Sequence, residues 1–162
     1  MSQGYCIFTD DRQHRYVLRR TWENKEHLCF IGLNPSVANE VQNDNTVRRV
    51  IRYAKDWGFG GLTVLNLFGL VSTDPKGLKS IENPAGAEND YYIRNTMKKH
   101  STIFCGWGNH GKDRNRDSEV IKIITEAGRV PKCLAVNKTG TPKHPLYLKK
   151  DLKLRNYELS KV

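Results

Sequence analysis

The stretch LCFIGLNPSVANEVQNDNTVRRVIRYAKDWG, residues 28–58, holds a complete strand–loop–helix unit. Its opening LCFI is apolar at every position, as in a strand buried on both faces of a parallel sheet. Gly32 and Pro35 break that run. Helical spacing resumes only after Asn43, Asp44 and Thr46, with Val47, Val50, Ile51 and Ala54 on one stripe and Gly58 as the stop. A chain that can turn in three residues here spends roughly ten polar and small ones, and long loops in compact domains often carry function.

The same unit recurs downstream. LTVLN (62–66), TIFCG (102–106) and CLAVN (133–137) have interiors of β-branched residues, leucine and phenylalanine without polar alternation. Between them, PAGAENDYYIRNTMKKH (84–100) and DSEVIKIITEAG (117–128) show helical spacing, the second starting at an Asp/Ser cap and stopping at Gly128. Strands alternating with helices imply right-handed crossovers. Upstream, GYCIFT (4–9) and RYVLRRTW (15–22) flank a polar turn and read as an antiparallel hairpin. The expected fold class is therefore α/β: a four-stranded parallel sheet between helices, with an N-terminal β-hairpin. One domain is expected over residues 1–162, with the hairpin at about 4–22 and a basic segment at about 143–162.

Composition narrows the partners. Lysine and arginine outnumber the acids 27 to 17, for a formal charge of +10, which favours an anionic partner such as nucleic acid. No apolar stretch reaches the roughly 18 residues of a membrane span, and the N-terminus lacks a signal-peptide layout. A cytoplasmic monomer that does not meet a membrane is expected. The cysteines Cys6, Cys29, Cys105 and Cys133 form no CxxC pair, and three of them lie in apolar runs, so buried reduced thiols are expected and no metal or cofactor.

In open parallel sheets, ligands bind outside the carboxyl ends of the strands. Asn34, Pro35 and Ser36 follow the first such strand, and Asn66 ends the second with Phe68 just beyond. Trp107 and Asn109 follow the third, and His144 lies in the long segment after the fourth. Asn34–Pro35 is also an ordinary turn pair, and Asp44 suits a helix cap as well as a carboxylate that orients water. Asn66 ends an apolar strand where its amide needs partners and could read the edge of a heterocycle. Residues 143–155 carry five Lys or Arg against one Asp, interleaved with Leu146, Tyr147 and Leu148, so they read either as a solvated segment or as a phosphate-gripping arm with an apolar wedge.

From about residue 4 to residue 155 the chain resembles a family of small prokaryotic proteins of unknown function, the one numbered 1643. The likeness is carried by GLNPSVA, DNTVRR, NLFGLVSTDP, NPAGAEND, GWGNHG and NKTGTPKHPLYL. More distantly, these motifs are similar to those of the uracil-DNA glycosylase superfamily, whose members have a four-stranded parallel sheet between helices. GLNPS is similar to the Gly-Ile-Asn-Pro-Gly loop of its mismatch-specific members, which implies that Asn34 positions water. LTVLNLF is similar to the strand whose final asparagine bonds the flipped base, here Asn66. IFCGWG matches a third strand end, and HPLYL keeps the histidine and proline of the leaving-base loop as His144 and Pro145. Leu146 stands where that loop has serine, Ser36 where the first has glycine, and no aromatic follows the first motif at the usual place to stack on uracil.

The resemblance implies a glycosylase that hydrolyses the N-glycosidic bond of a flipped, modified base, in DNA more than RNA. Asn34 and His144 would be catalytic, without any metal, with Asp44 beside them; Asn66, Pro35, Ser36, Phe68, Trp107 and Asn109 would hold the base. Lys143, Tyr147, Leu148, Lys149, Lys150 and Arg155 would contact nucleic acid. Two other readings stay open: a non-catalytic module for a modified base or nucleotide, and a hydrolase or transferase of free nucleotides.

Overall fold

The computed structural model describes residues 3–158. It is an α/β structure built on one mixed sheet of seven strands. The strands are β1 (Gln3–Phe8), β2 (Arg15–Thr21), β3 (His27–Gly32), β4 (Gly61–Asn66), β5 (Ile103–Cys105), β6 (Pro131–Cys133) and β7 (Arg155–Asn156). Their spatial order is β1-β2-β4-β3-β5-β6-β7. The pairs β3/β4, β3/β5 and β5/β6 are parallel, whereas β1/β2, β2/β4 and β6/β7 are antiparallel.

The sheet is thus wider than the four parallel strands expected. The hairpin forms as read, but β2 also pairs with β4 from Leu18↔Val64 to Thr21↔Gly61 and becomes an interior strand. Tyr16 and Val17 pack with one core and Leu18 with the other, so β2 has apolar cover on both faces. The fourth parallel strand lies earlier than CLAVN. Beyond Cys133 the chain folds back on itself, with the N–H of Asn137 donating to the Thr141 carbonyl and that of Lys143 to Ala135, each at 2.8 Å. Those bonds replace the ladder to β5. The short β7 falls inside the basic segment, where no strand was expected.

Alternation along the strands separates two cores. Leu28, Phe30, Leu62, Val64 and Phe104 face helix α1 (Asn45–Asp56), which contributes Val47, Val50, Tyr53 and Ala54. Cys29, Ile31, Leu65, Ile103 and Cys105 face α2 (Asn89–Met97) and α3 (Arg116–Glu126). Burying each such aliphatic or aromatic side chain contributes about 1.5–3 kcal/mol. Helix α1 starts where Asp44 Oδ1 accepts the Val47 N–H at 2.8 Å. Helix α2 starts later than its pattern, because the carbonyls of Pro84 and Ala85 accept from Leu70 and Gly69 and tie that stretch to the loop after β4. The cysteines are free thiols, with Cys29, Cys105 and Cys133 buried. Among the described residues, no helix is long and apolar enough to cross a membrane.

Candidate functional site

Parallel strands present their carboxyl ends on one edge, and β3 and β4 end in register, Gly32 opposite Asn66. A cavity of about 300 Å³ opens there. Its lining includes Asn34, Pro35, Ser36 and Asp44 from the long loop, Asn66 from β4, Trp107 and Asn109 from the segment after β5, and His144. The long loop is a wall of this cavity. Phe68 is not: its ring is buried in the core against α2 and α3.

Three asparagines of the lining have defined partners. Asn34 Nδ2 donates to the Ser72 carbonyl at 2.8 Å and to that of Pro35 at 3.1 Å, so its NH₂ staples the loop while its Oδ1 stays available to accept. Asn66 is 5% exposed, and its Oδ1 accepts from Arg15 Nη2 at 3.4 Å. A Cβ at Gly32 would stand 3.1 Å from Asn66 Nδ2 and equally close to the Phe30 ring, so the close approach of the two strand ends suits glycine. Asn109 Oδ1 accepts from the hydroxyls of Thr139 and Thr141 at 2.5 and 2.8 Å and joins the two loops around His144. The Trp107 indole N–H is buried without a partner.

His144 precedes a short helical turn, Pro145–Tyr147, and its Nδ1 accepts the Leu146 N–H at 3.2 Å. A ring nitrogen that accepts carries no proton, so the neutral imidazole holds its hydrogen on Nε2. Burial pushes the imidazole below its ordinary pKa, against the opposing pull of the Asp44 carboxylate. The site therefore holds a neutral histidine with a donor on Nε2.

The basic segment divides. Tyr147 is 92% exposed, one helical turn from the cavity, and Lys149 and Lys150 are also exposed. Leu148 is packed against the α1 core, and its carbonyl accepts from Arg49, so it is not free to act as a wedge. The Lys149 carbonyl accepts from the Tyr53 hydroxyl and that of Leu152 from Trp57 Nε1, which straps the segment across α1. Lys143 is half-buried, and Arg155 lies on the edge strand β7. Residues 159–162 of the expected basic segment lie outside the described residues.

Several arginines are spent on bonds within the chain. Arg20 donates to Asn43 Oδ1 and to the carbonyls of Arg19, Asn39 and Gln42, Arg12 forms a two-bond pair with Glu40, and Arg114 gathers the carbonyls of residues 78–82. Part of the charge excess is thus structural and points to no partner. Sequence reading missed Arg15 and Phe30, both cavity-lining: Phe30 reads as plain core of an apolar strand, and Arg15 as one charge among many at the head of a hairpin strand. It also passed over Thr46 and His110; His110 lines the cavity with its Nδ1 3.3 Å from Asp113 Oδ2. Among the described residues, no cluster of His, Cys, Asp or Glu could hold a metal ion.

An α/β sheet with a cavity at the carboxyl ends of its parallel strands defines the general class. The chain belongs to the family described as "Protein of unknown function (DUF1643)", whose model matches residues 15–146. No curated protein matches it. Among solved structures, a hetero-hexameric glutamate dehydrogenase from Thermus thermophilus in its leucine-bound form is similar at 12% identity over 80% of this chain and 31% of its own, with a TM-score of 0.34. A likeness that slight carries no argument.

Proposed function

We propose that this chain is a base glycosylase-like protein that acts on a modified base flipped out of nucleic acid, DNA in preference to RNA. The observation that carries the reading is His144: a half-buried, neutral imidazole with its proton on Nε2, on the same cavity as Asn34 and Asn66. Hydrolysis breaks the bond between C1′ and the base nitrogen, and the electron pair leaves on the base. Water adds to C1′ and loses a proton, which ends on the departed base anion. A preorganised donor at the departing base lowers the cost of that charge. In this reading Nε2 of His144 supplies the donor, Asn34 Oδ1 and the Asp44 carboxylate orient the water, and Asn66 reads the base.

The cavity volume of about 300 Å³ is at the small end for ligand sites, which suits one heterocycle better than a whole nucleotide. Base flipping supplies such a heterocycle. The exposed Tyr147 would fill the space it leaves, and Lys149 and Lys150 would grip phosphates, with Lys143 and Arg155 further along the strand.

A polar depression of about 330 Å³ adjoins the cavity and shares Ser36, Asp44 and Thr46 with it. It favours a second reading, a hydrolase or transferase of free nucleotides whose phosphates would sit there. Single-turnover release of base from duplexes carrying modified pyrimidines, beside turnover of free nucleotides, separates the two.

A further inference from the structure

Arg15 opens β2, is 2% exposed, and lines the cavity beside Asn66. Its Nη1 donates to the Ala38 carbonyl at 3.0 Å and its Nη2 to Asn66 Oδ1 at a long 3.4 Å, while Nε has no partner. Among the described residues it forms no ion pair. The other deeply buried arginines are better served: Arg116 meets the Asp90 carboxylate at 2.6 Å, and Arg20 has four acceptors. Burial lowers the Arg15 pKa to about 10, so the group stays charged at neutral pH. The Asp44 carboxylate on the same cavity favours the charge only from beyond ion-pair distance. A buried charge without a direct counter-ion is costly, so such a charge kept at a cavity suits a ligand that completes it.

The neighbouring amide adds to this. A guanidinium has only donors, so it holds Asn66 with Oδ1 towards Arg15 and leaves Nδ2 as the amide's free group. Nε is buried without a partner and Nδ2 of Asn66 is unspent, so this wall of the cavity is rich in donors. It suits an oxyanion, which only accepts.

We propose that Arg15 reads a negatively charged group of the ligand, a carboxylate or phosphate oxyanion seated against its guanidinium and the amide of Asn66. For its source in a base substituent, this rests on reading the cavity as a base site; the anion preference itself does not. Charged groups on the pyrimidine ring then distinguish the accepted base from uracil.

The test is calorimetric binding of uracil, 5-carboxyuracil, orotate and inorganic phosphate to the full chain, with Arg15→Gln and Arg15→Lys alongside and folding followed by circular dichroism. One of the two carboxylated pyrimidines is expected to bind wild type at least about 10-fold tighter than uracil. Arg15→Gln should abolish that advantage and Arg15→Lys should keep part of it, because charge survives without the fork. If phosphate alone binds, and does so through Arg15, the anion site stands while the base reading fails. Equal binding of uracil and its carboxylates overturns the role of Arg15 and leaves the base reading intact. The wild-type comparison decides this even if a variant does not fold, and failure of every probe to bind folded wild type overturns the proposal.

Discussion

The Leu146 N–H donates to His144 Nδ1 at 3.2 Å, two residues along one loop, and this bond decides which ring nitrogen keeps the proton. A base in the cavity would then meet a donor without any proton transfer. Removing one such preorganised donor typically costs about 2.7–4 kcal/mol, or roughly 100- to 1000-fold in rate. His144→Ala is expected to slow base release by that factor while leaving nucleic-acid binding within about threefold. Parallel losses of binding and rate would instead make His144 a structural residue of the loop.

Asp44 has two separable duties. Its Oδ1 caps α1 through Val47, and its carboxylate faces the cavity. Asp44→Ala should lower stability by about 1 kcal/mol through the lost cap, whereas Asp44→Asn keeps the cap and stays within a few tenths. If the charge orients water, Asp44→Asn still slows base release, measured under single turnover. Full activity in Asp44→Asn would leave the carboxylate only its capping duty.

How far the sequence revealed the fold depends on where each backbone bond finds its partner. LCFIG and LTVLN formed strands almost residue for residue, because a run apolar on both faces has no other use in a chain of this size. CLAVN did not, since the turn at 137–141 captured its hydrogen bonds locally. Phe68 is aromatic and lies two residues past Asn66, yet beyond the end of β4 the alternation breaks and its ring packs beside Leu65 and Leu67 in the other core. Phe30, which does line the cavity, reads in sequence as plain core. Arg15 carried only a faint signal, a charge at the head of the apolar run YVL. What it touches depends on β2 pairing with β4, a long-range contact that no local pattern encodes.

Stability should fall on mild acidification. His100 is buried, with Nδ1 bonded to the Thr96 carbonyl and Nε2 to the Thr63 hydroxyl, each at 2.9 Å. Burial lowers its pKa below the unfolded value of about 6.5. Its contribution is therefore fully present above that value and is lost as pH falls through the lower folded pKa, because the unfolded chain then binds more protons. Urea midpoints measured from pH 7.5 to pH 5 are expected to drop, and His100→Gln should flatten the drop. An unchanged pH dependence in the variant would assign it to His27 or His144, which burial also depresses.

The exposed lysines on the strap across α1 make a salt-dependent prediction. If Lys149 and Lys150 each neutralise one phosphate, changing both to alanine should reduce the slope of log K against log salt by about two. Tyr147→Ala should slow release from duplex more than from single strands, since a wedge matters only where a stack must open. A salt slope that both lysine changes leave untouched would make that surface ordinary solvated chain.

Single-turnover base release by wild type and His144→Ala is the most direct measurement, made on duplexes carrying uracil and a series of modified pyrimidines, with abasic sites as the readout and binding followed in parallel. Wild type is expected to release at least one modified base, and His144→Ala to do so roughly 100- to 1000-fold more slowly at near-equal affinity. Selective binding of a modified duplex with no base released from any of them would contradict the glycosylase reading and leave a binding module in its place.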